Sequence, residues 1–358
     1  TWYWQTWNEP NIPYWQGNRE EFFRLHDHAI RAVRRALPTA RVGGPDVAGD
    51  GGEFMDAFLD HCLHGRNQAT GAQGTPLDFV SFHAKGAPQT IDGHVRMGLR
   101  EHLRTIEAGF ARVAQHPELR QTPIVIGESD PEGCAACQGP QLAYRNGTMY
   151  SSYTAASFPR KIELAARNGV NLEGALTWAF EFEGEPCFAG YRTLATCGID
   201  KPVLNVFRMF SRLPSRRLTA RSDAAIPLDD ILREGVRARP DVGLIASRDT
   251  DRLSVLVWHY HDDDLAGPAA AITLTISDWE GSAVSPTHYR IDHDHSNAFT
   301  RWQSLGSPPQ PTPDQQAALR SRAGLETTTP PTVAVENDIL TASFELPRQG
   351  VSLLEWQR

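Results

Sequence analysis

Apolar positions along this chain change their period once, near residue 214. Before that point, short apolar runs alternate with stretches in which apolar residues recur every three or four positions, the pattern of strands alternating with helices. Residues 2–7 of the opening TWYWQTWNEPN read as a buried strand. Aromatic residues and Thr fit a pleated surface, and Pro10 forbids further ladder pairing. Asn18 with Glu21 forms a capping box that opens a helix carrying Phe22, Ala29, Ile30, Val33 and Leu37 on one face, and Pro38 ends it. Residues 41–46 give a second strand, in which Gly43-Gly44 permits close backbone approach. An amphipathic helix over 53–63 follows, with Phe54, Phe58 and Leu59 inward, then a Gly/Thr-rich loop over 65–75. Residues 77–83 give a third strand, 92–114 a helix with Val95, Leu99, Leu103, Ile106 and Phe110 on one face, and 123–127 a strand that Glu128 ends. A helix over 151–168, a strand over 174–180 and a closing helix over 201–213, with Pro202 near its start, complete this part.

After residue 214 the pattern turns to short strands over 242–247, 253–260, 271–277, 287–292, 333–336, 340–346 and 351–356, the spacing of a β-sandwich. The Pro, Gln and Thr-rich run 304–331 reads as an irregular excursion with a short helix near 314–323. Two domains follow, 1–214 and 215–358; 358 residues exceed a usual single domain, and 40% hydrophobic content supports real cores.

A net charge of −8 argues against nucleic acid or an anionic membrane surface as a partner. No apolar run approaches the roughly 18 residues of a membrane-spanning helix. Among five cysteines, Cys134 and Cys137 form a C-x-x-C. Neither the strand-to-helix context of a redox motif nor two further zinc ligands at sensible spacing accompany it, which favours a loop beside the active site in which the pair is reduced or bridged. Asn146-Gly147-Thr148 matches a glycosylation sequon and reads as a chance match.

Chemistry concentrates at strand ends. Glu9 follows the first strand and Glu128 ends the 123–127 strand, each before small, turn-forming or proline-containing sequence. Two carboxylates at the ends of different strands suit glycosidic cleavage, in which one donates a proton to the leaving oxygen and the other attacks or activates water. They also resemble catalytic groups on the carboxyl ends of barrel strands. Asp46 is a supporting carboxylate candidate.

Five segments, WNEPN (7–11), SFHAKG (81–86), GESDP (127–131), TWAFEFE (177–183) and YRIDHDHSNAFTRW (289–302), resemble family 39 glycoside hydrolases, whose known members are β-xylosidases and α-L-iduronidases. The resemblance implies a (β/α)8 TIM barrel plus a C-terminal β-sandwich, with the chain beginning at about the fourth barrel strand. It implies Glu9 as general acid/base, Glu128 as nucleophile, and retention by double displacement with no cofactor or metal. The carboxyl groups are then expected ~5–5.5 Å apart. In this frame Asn8 holds the 2-hydroxyl of the sugar and His83 hydrogen-bonds a substrate hydroxyl. Lys85 occupies the place where iduronidases engage the substrate carboxylate, against the plainer reading of a solvated loop lysine.

Tyr144 or Tyr150 is expected near the nucleophile, Trp178 on the last strand as a stacking platform, and Glu181 and Glu183 as acceptors for sugar hydroxyls, with a solvated loop as the alternative for that acidic run. The HDHSN cluster, 293–297, is expected to make interdomain hydrogen bonds or line the pocket rim. The preferred substrate is a β-1,4-xylooligosaccharide cleaved from its non-reducing end to release xylose. An α-L-iduronidase-like enzyme is the runner-up and a non-catalytic carbohydrate-binding protein the third reading. A bacterial cytoplasm or periplasm is the expected compartment, with any signal peptide lying before the first residue given.

Overall fold

The computed structural model describes residues 2–178, 180–280 and 282–357. They form two compact units. The first takes the chain up to Ala87, Glu101–Gly133 and Arg160–Trp178; the second takes Pro88–Arg100, Cys134–Pro159 and everything after Trp178.

In chain order the elements are β1 (Tyr3–Gln5), α1 (Arg19–Ala36), β2 (Arg41–Val47), α2 (Gly52–His64), β3 (Phe79–Lys85), the hairpin strands β4 (Gln89–Ile91) and β5 (His94–Arg96), α3 (Leu99–Ala114), β6 (Pro123–Asp130), α4 (Thr148–Asn168) and β7 (Asn171–Ala175). The first unit is built on a five-stranded sheet in the order β1-β2-β3-β6-β7, every pair parallel. Parallel neighbours need a crossover, which the helices supply. All five strands therefore present their carboxyl ends on the same side of the sheet.

Local signals set these elements. Asn18 and Glu21 exchange both bonds of the capping box at the start of α1. Phe22, Phe23, Phe54 and Phe58 interlock α1 with α2. Between β2 and β3, a Cβ on Gly43 would overlap the Phe79 carbonyl oxygen and ring, so the strands approach as closely as only glycine allows.

Several expectations need correction. β1 is shorter than the aromatic run and exposed, with Trp2 75%, Trp4 37% and Trp7 41% accessible. Among the described residues it pairs on one side only, with β2. The helix expected from residue 92 begins at Leu99, because Asp92-Gly93, both at positive φ (49° and 83°), makes the two-residue turn of the β4–β5 hairpin. The strand expected over 174–180 ends at Ala175: its ladder with β6 slips beside Ile124 and closes with bonds at Leu176. Trp178 thus lies beyond the strand.

The second unit contains a six-stranded antiparallel sheet (Arg216–Arg217, Asp241–Arg248, Arg252–Tyr260, Val351–Gln357, Thr287–Ile291, Glu326–Thr327) and a three-stranded one (Ala270–Ile276, Ile339–Leu346, Thr332–Glu336). Both sheets feed one buried cluster that includes Val255, Val257, Leu274, Leu340, Leu354 and Trp356. Helices over Leu228–Glu234 and Ala298–Ser304 were not anticipated; Pro313–Arg320 was. The HDHSN segment makes a local turn, in which Asp292 accepts from the backbone of Asp294 and His295 and Asn297 caps the following helix, and the Ser296 carbonyl accepts from the Asn205 amide at 3.4 Å, a bond between the two ranges divided at 214.

Cys134 and Cys137 are bridged, as are Cys187 and Cys197, a pair with no sequence signal; Cys62 is free and buried. Asn146 of the sequon is buried and donates its amide to the Phe188 carbonyl at 2.9 Å, which leaves it inaccessible for glycosylation. Among the described residues no helix is long and apolar enough to cross a membrane. Gly43→Ala is expected to destabilise the protein by about 1–3 kcal/mol, the usual cost of overpacking, and denaturant unfolding measures it.

Candidate active site

Four adjacent strands deliver acidic and basic side chains to the same end of the parallel sheet. Glu9 follows β1, Asp46 stands near the end of β2, His83 and Lys85 on the last turn of β3's pleat, and Glu128 and Asp130 at the end of β6. Alternation along β3 and β6 puts residues two apart on one face. The register sets His83 opposite Glu128 and Lys85 opposite Asp130.

His83 is the hub, with 1% of its side chain exposed. Its Nδ1 lies 2.8 Å from Glu9 Oε1 and 3.7 Å from Glu128 Oε1, and its Nε2 lies 3.1 Å from Asp46 Oδ1. Burial pushes the imidazole toward its neutral form, but hydrogen bonds to Asp46 and Glu9 and the charge of Glu128 raise its pKa to about 9. His83 is therefore an imidazolium at neutral pH, donating from both nitrogens. The nearest polar atoms of Glu9, His83 and Glu128 all lie within 4.8 Å of one another. By composition these three groups also match the donor set of a metal site.

The backbone is shaped to this purpose. Glu9 and Asp46 adopt left-handed φ values of 49° and 60°, uncommon for residues with a side chain, and the Glu9 amide is tied to the Asp46 carbonyl at 2.9 Å. At Gly127 a Cβ would overlap Asp46 Oδ1 and press on the His83 ring at 3.2 Å, so the residue before Glu128 has no room for a side chain.

Against this geometry the comparisons with known proteins are specific. A model described as Glycosyl hydrolases family 39 matches residues 1–338. The chain belongs to this family. It is 24% identical over 383 residues to a β-xylosidase of Geobacillus stearothermophilus, covering 99% of this chain and 65% of that protein. It is 25% identical over 354 residues to an α-L-iduronidase of Mus musculus, covering 89% and 52%. Among solved structures, a bacterial orthologue of human α-L-iduronidase shares the fold with a TM-score of 0.82 at 19% identity, covering 99% of this chain and 61% of that one. The chain thus spans about half to two thirds of these relatives.

Within this family 39 chain, the structure brings together Glu9, Asp46, His83, Lys85 and Glu128 of the residues singled out from sequence, and adds Asp130. Lys85 departs from the solvated-loop reading. It belongs to β3, and its Nζ lies 2.5 Å from both Glu128 Oε2 and Asp130 Oδ2. Asp130 was not anticipated; its signal was its place in GESD, two residues past Glu128 and so on the same face. Asn8 is exposed and Trp178 half-buried.

The remaining candidates belong to the second unit. Tyr144 is buried in the turn Pro140–Asn146, its ring 5.9 Å from the Arg145 guanidinium, and Tyr150 is buried in α4. Glu181 accepts a bond from the Gly198 amide at 2.8 Å, which makes it a loop anchor, and Glu183 is exposed. Glu185 beside them has its carboxyl raised to about 7, chiefly by burial, with Lys201 opposing and Glu181 adding to the shift.

The raised pKa of His83 has a measurable consequence. Its bonds to Asp46 and Glu9 contribute stability that is fully present below the unfolded pKa of 6.5 and lost as pH rises through about 9. Over that window the wild type should lose about 3 kcal/mol at most, and His83→Gln should show a flatter curve. Unfolding free energy measured from pH 6 to 10 checks the difference.

Proposed function

We propose that this chain carries the sugar site of a retaining exo-glycosidase, with Glu128 as nucleophile and Glu9 as acid/base. One observation carries the reading: carboxylate oxygens of Glu9 and Glu128 approach within 4.8 Å, with His83 between them. That approach supports the ~5–5.5 Å carboxyl separation of retaining enzymes over the ~6.5–9.5 Å of inverting ones.

The chemistry runs in two displacements. Glu128 attacks the anomeric carbon; the bond from that carbon to the leaving oxygen breaks, and Glu9 gives that oxygen its proton. Water then attacks the glycosyl ester, its proton passes to Glu9, and Glu128 leaves as carboxylate. His83 and Lys85 flank the two oxygens of Glu128, at 3.7 Å and 2.5 Å, and orient its carboxylate. Asn8, beside Glu9, is the proposed contact for the 2-hydroxyl, and Trp178 a stacking surface. We also infer that the five-stranded sheet belongs to a (β/α)8 barrel, that the division falls near residue 214, and that the two C-terminal sheets form a β-sandwich.

For the sugar, the first reading is the non-reducing end of β-1,4-xylooligosaccharides, releasing xylose. Lys85 supports a second reading. A cation at the nucleophile's edge of the site, with 18% of its side chain exposed, supports a contact with the carboxylate of an α-L-iduronide. Turnover of an aryl β-D-xyloside and an aryl α-L-iduronide by the full-length protein separates the two.

Glu128→Gly is expected to abolish turnover of the preferred substrate, with azide restoring it as a glycosyl azide of inverted configuration. If the iduronide reading holds, Lys85→Met should slow the iduronide about tenfold or more beyond its effect on the xyloside, the weight of a charge-assisted contact. No turnover of either glycoside would favour the carbohydrate-binding alternative.

A further inference from the structure

We infer that Asp130 is a positioning residue for Glu128, acting through Lys85. The inference rests on the proposed role of Glu128 and assigns a task to a residue that touches no substrate.

Asp130 is fully buried, and a buried carboxylate must be held by partners. Its Oδ1 accepts from the Thr177 hydroxyl at 2.6 Å, its Oδ2 faces Lys85 Nζ at 2.5 Å, and its carbonyl accepts from the Gly86 amide at 3.0 Å. These bonds tie the end of β6 to the end of β3 and to the segment after β7. Behind Asp130 lies the fully buried Lys161 of α4. Burial pushes its amine down to about 7, while the charge of Asp130 acts in the opposite direction. His102 of α3, next to Ser129 at 2.9 Å, is buried and held neutral by that burial and by Lys161 and Lys85.

Lys85 thus has one carboxylate beneath it that cannot move and one above it that reaches the cleft. Glu128 uses its two oxygens differently: Oε2 meets Lys85 at 2.5 Å, and Oε1 turns toward His83 at 3.7 Å. A lysine stem has four rotatable bonds, and without an anchor its ammonium would wander or close wholly onto Glu128. Shared between two carboxylates, it orients Glu128 without saturating its charge. Asp130 therefore fixes where the ammonium sits and how much of it the nucleophile feels.

The test uses the full-length enzyme and whichever aryl glycoside it turns over faster, with kcat, KM and the pH dependence of kcat/KM for Asp130→Asn and Lys85→Met. Asp130→Asn should lower kcat about 10- to 100-fold with KM within about threefold. The acid limb of its profile should move to lower pH, because an anion near Glu128 has gone; in Lys85→Met the limb should move to higher pH, because a cation has gone. Glu9 after β1, Asp46 of β2, His83 of β3, Lys161 of α4 and His102 of α3, which face the same charges, stay in both variants, so a general loosening of the fold would not produce opposite shifts.

Should Asp130→Asn fail to fold, Thr177→Val decides. It removes one bond to Asp130 while leaving every charge, and should lower kcat about 3- to 10-fold with the acid limb in place. Wild-type kcat and an unmoved profile in Asp130→Asn, or wild-type kcat in Thr177→Val, would overturn the inference. Failure of azide to rescue Glu128→Gly would instead remove the nucleophile assignment on which it rests, a separate result.

Discussion

The parallel pairing of β3 with β6 is the constraint on which the site depends. It places His83 opposite Glu128 and Lys85 opposite Asp130, so that cations and anions face each other across one ladder. Neighbouring strands stand about 4.8 Å apart, close enough for these side chains to interact directly. A slip of one residue would turn both cations to the other face of the sheet and leave the carboxylates of β6 without partners. The irregularity between Phe82 and His83 in this register brings the two pairs into line.

Charges this deeply placed persist only where each has a partner. His83 serves Glu9 and Asp46 with its two nitrogens and reaches toward Glu128, while Lys85 serves Glu128 and Asp130. The two cations are shared among four carboxylates, and the innermost groups, His83, Asp46 and Asp130, are the most buried. Glu9 and Glu128 stand above them with about a seventh of each side chain reaching solvent, 14% and 15%. A rigid charged floor under two accessible carboxylates is the arrangement a preorganised site requires, since its partners need not reorient during reaction. Left-handed φ values at Glu9 and Asp46, and the absence of room for a side chain at Gly127, mark where the backbone was bent to build it.

Much of this was legible in the sequence where local chemistry decides the outcome. The capping box at Asn18, the apolar strand before Glu128 and the seven alternating strands after residue 214 all stand within a few residues of their expected places. The failures have physical causes. The aromatic run at the start looked buried because its composition suits a sheet interior, yet β1 is an edge of the described sheet, which composition does not encode. The Asp92-Gly93 turn was overridden by the helical spacing of the apolar residues after it. Lys85 was read one residue at a time, as a loop lysine or a substrate ligand; its ion pairs depend on register with β6, which only the folded sheet supplies. The partnership of Cys187 with Cys197 likewise depends on a loop closing in space.

The closeness of Glu9 and Glu128 bears directly on stereochemistry, and the first-formed product reports it. Proton NMR of the anomeric signal during the opening minutes of hydrolysis, before mutarotation, reads the configuration of the released sugar. Retention of the substrate's configuration is the predicted result. A first product of inverted configuration would contradict the account, since inverting enzymes hold a water between carboxyl groups set ~6.5–9.5 Å apart.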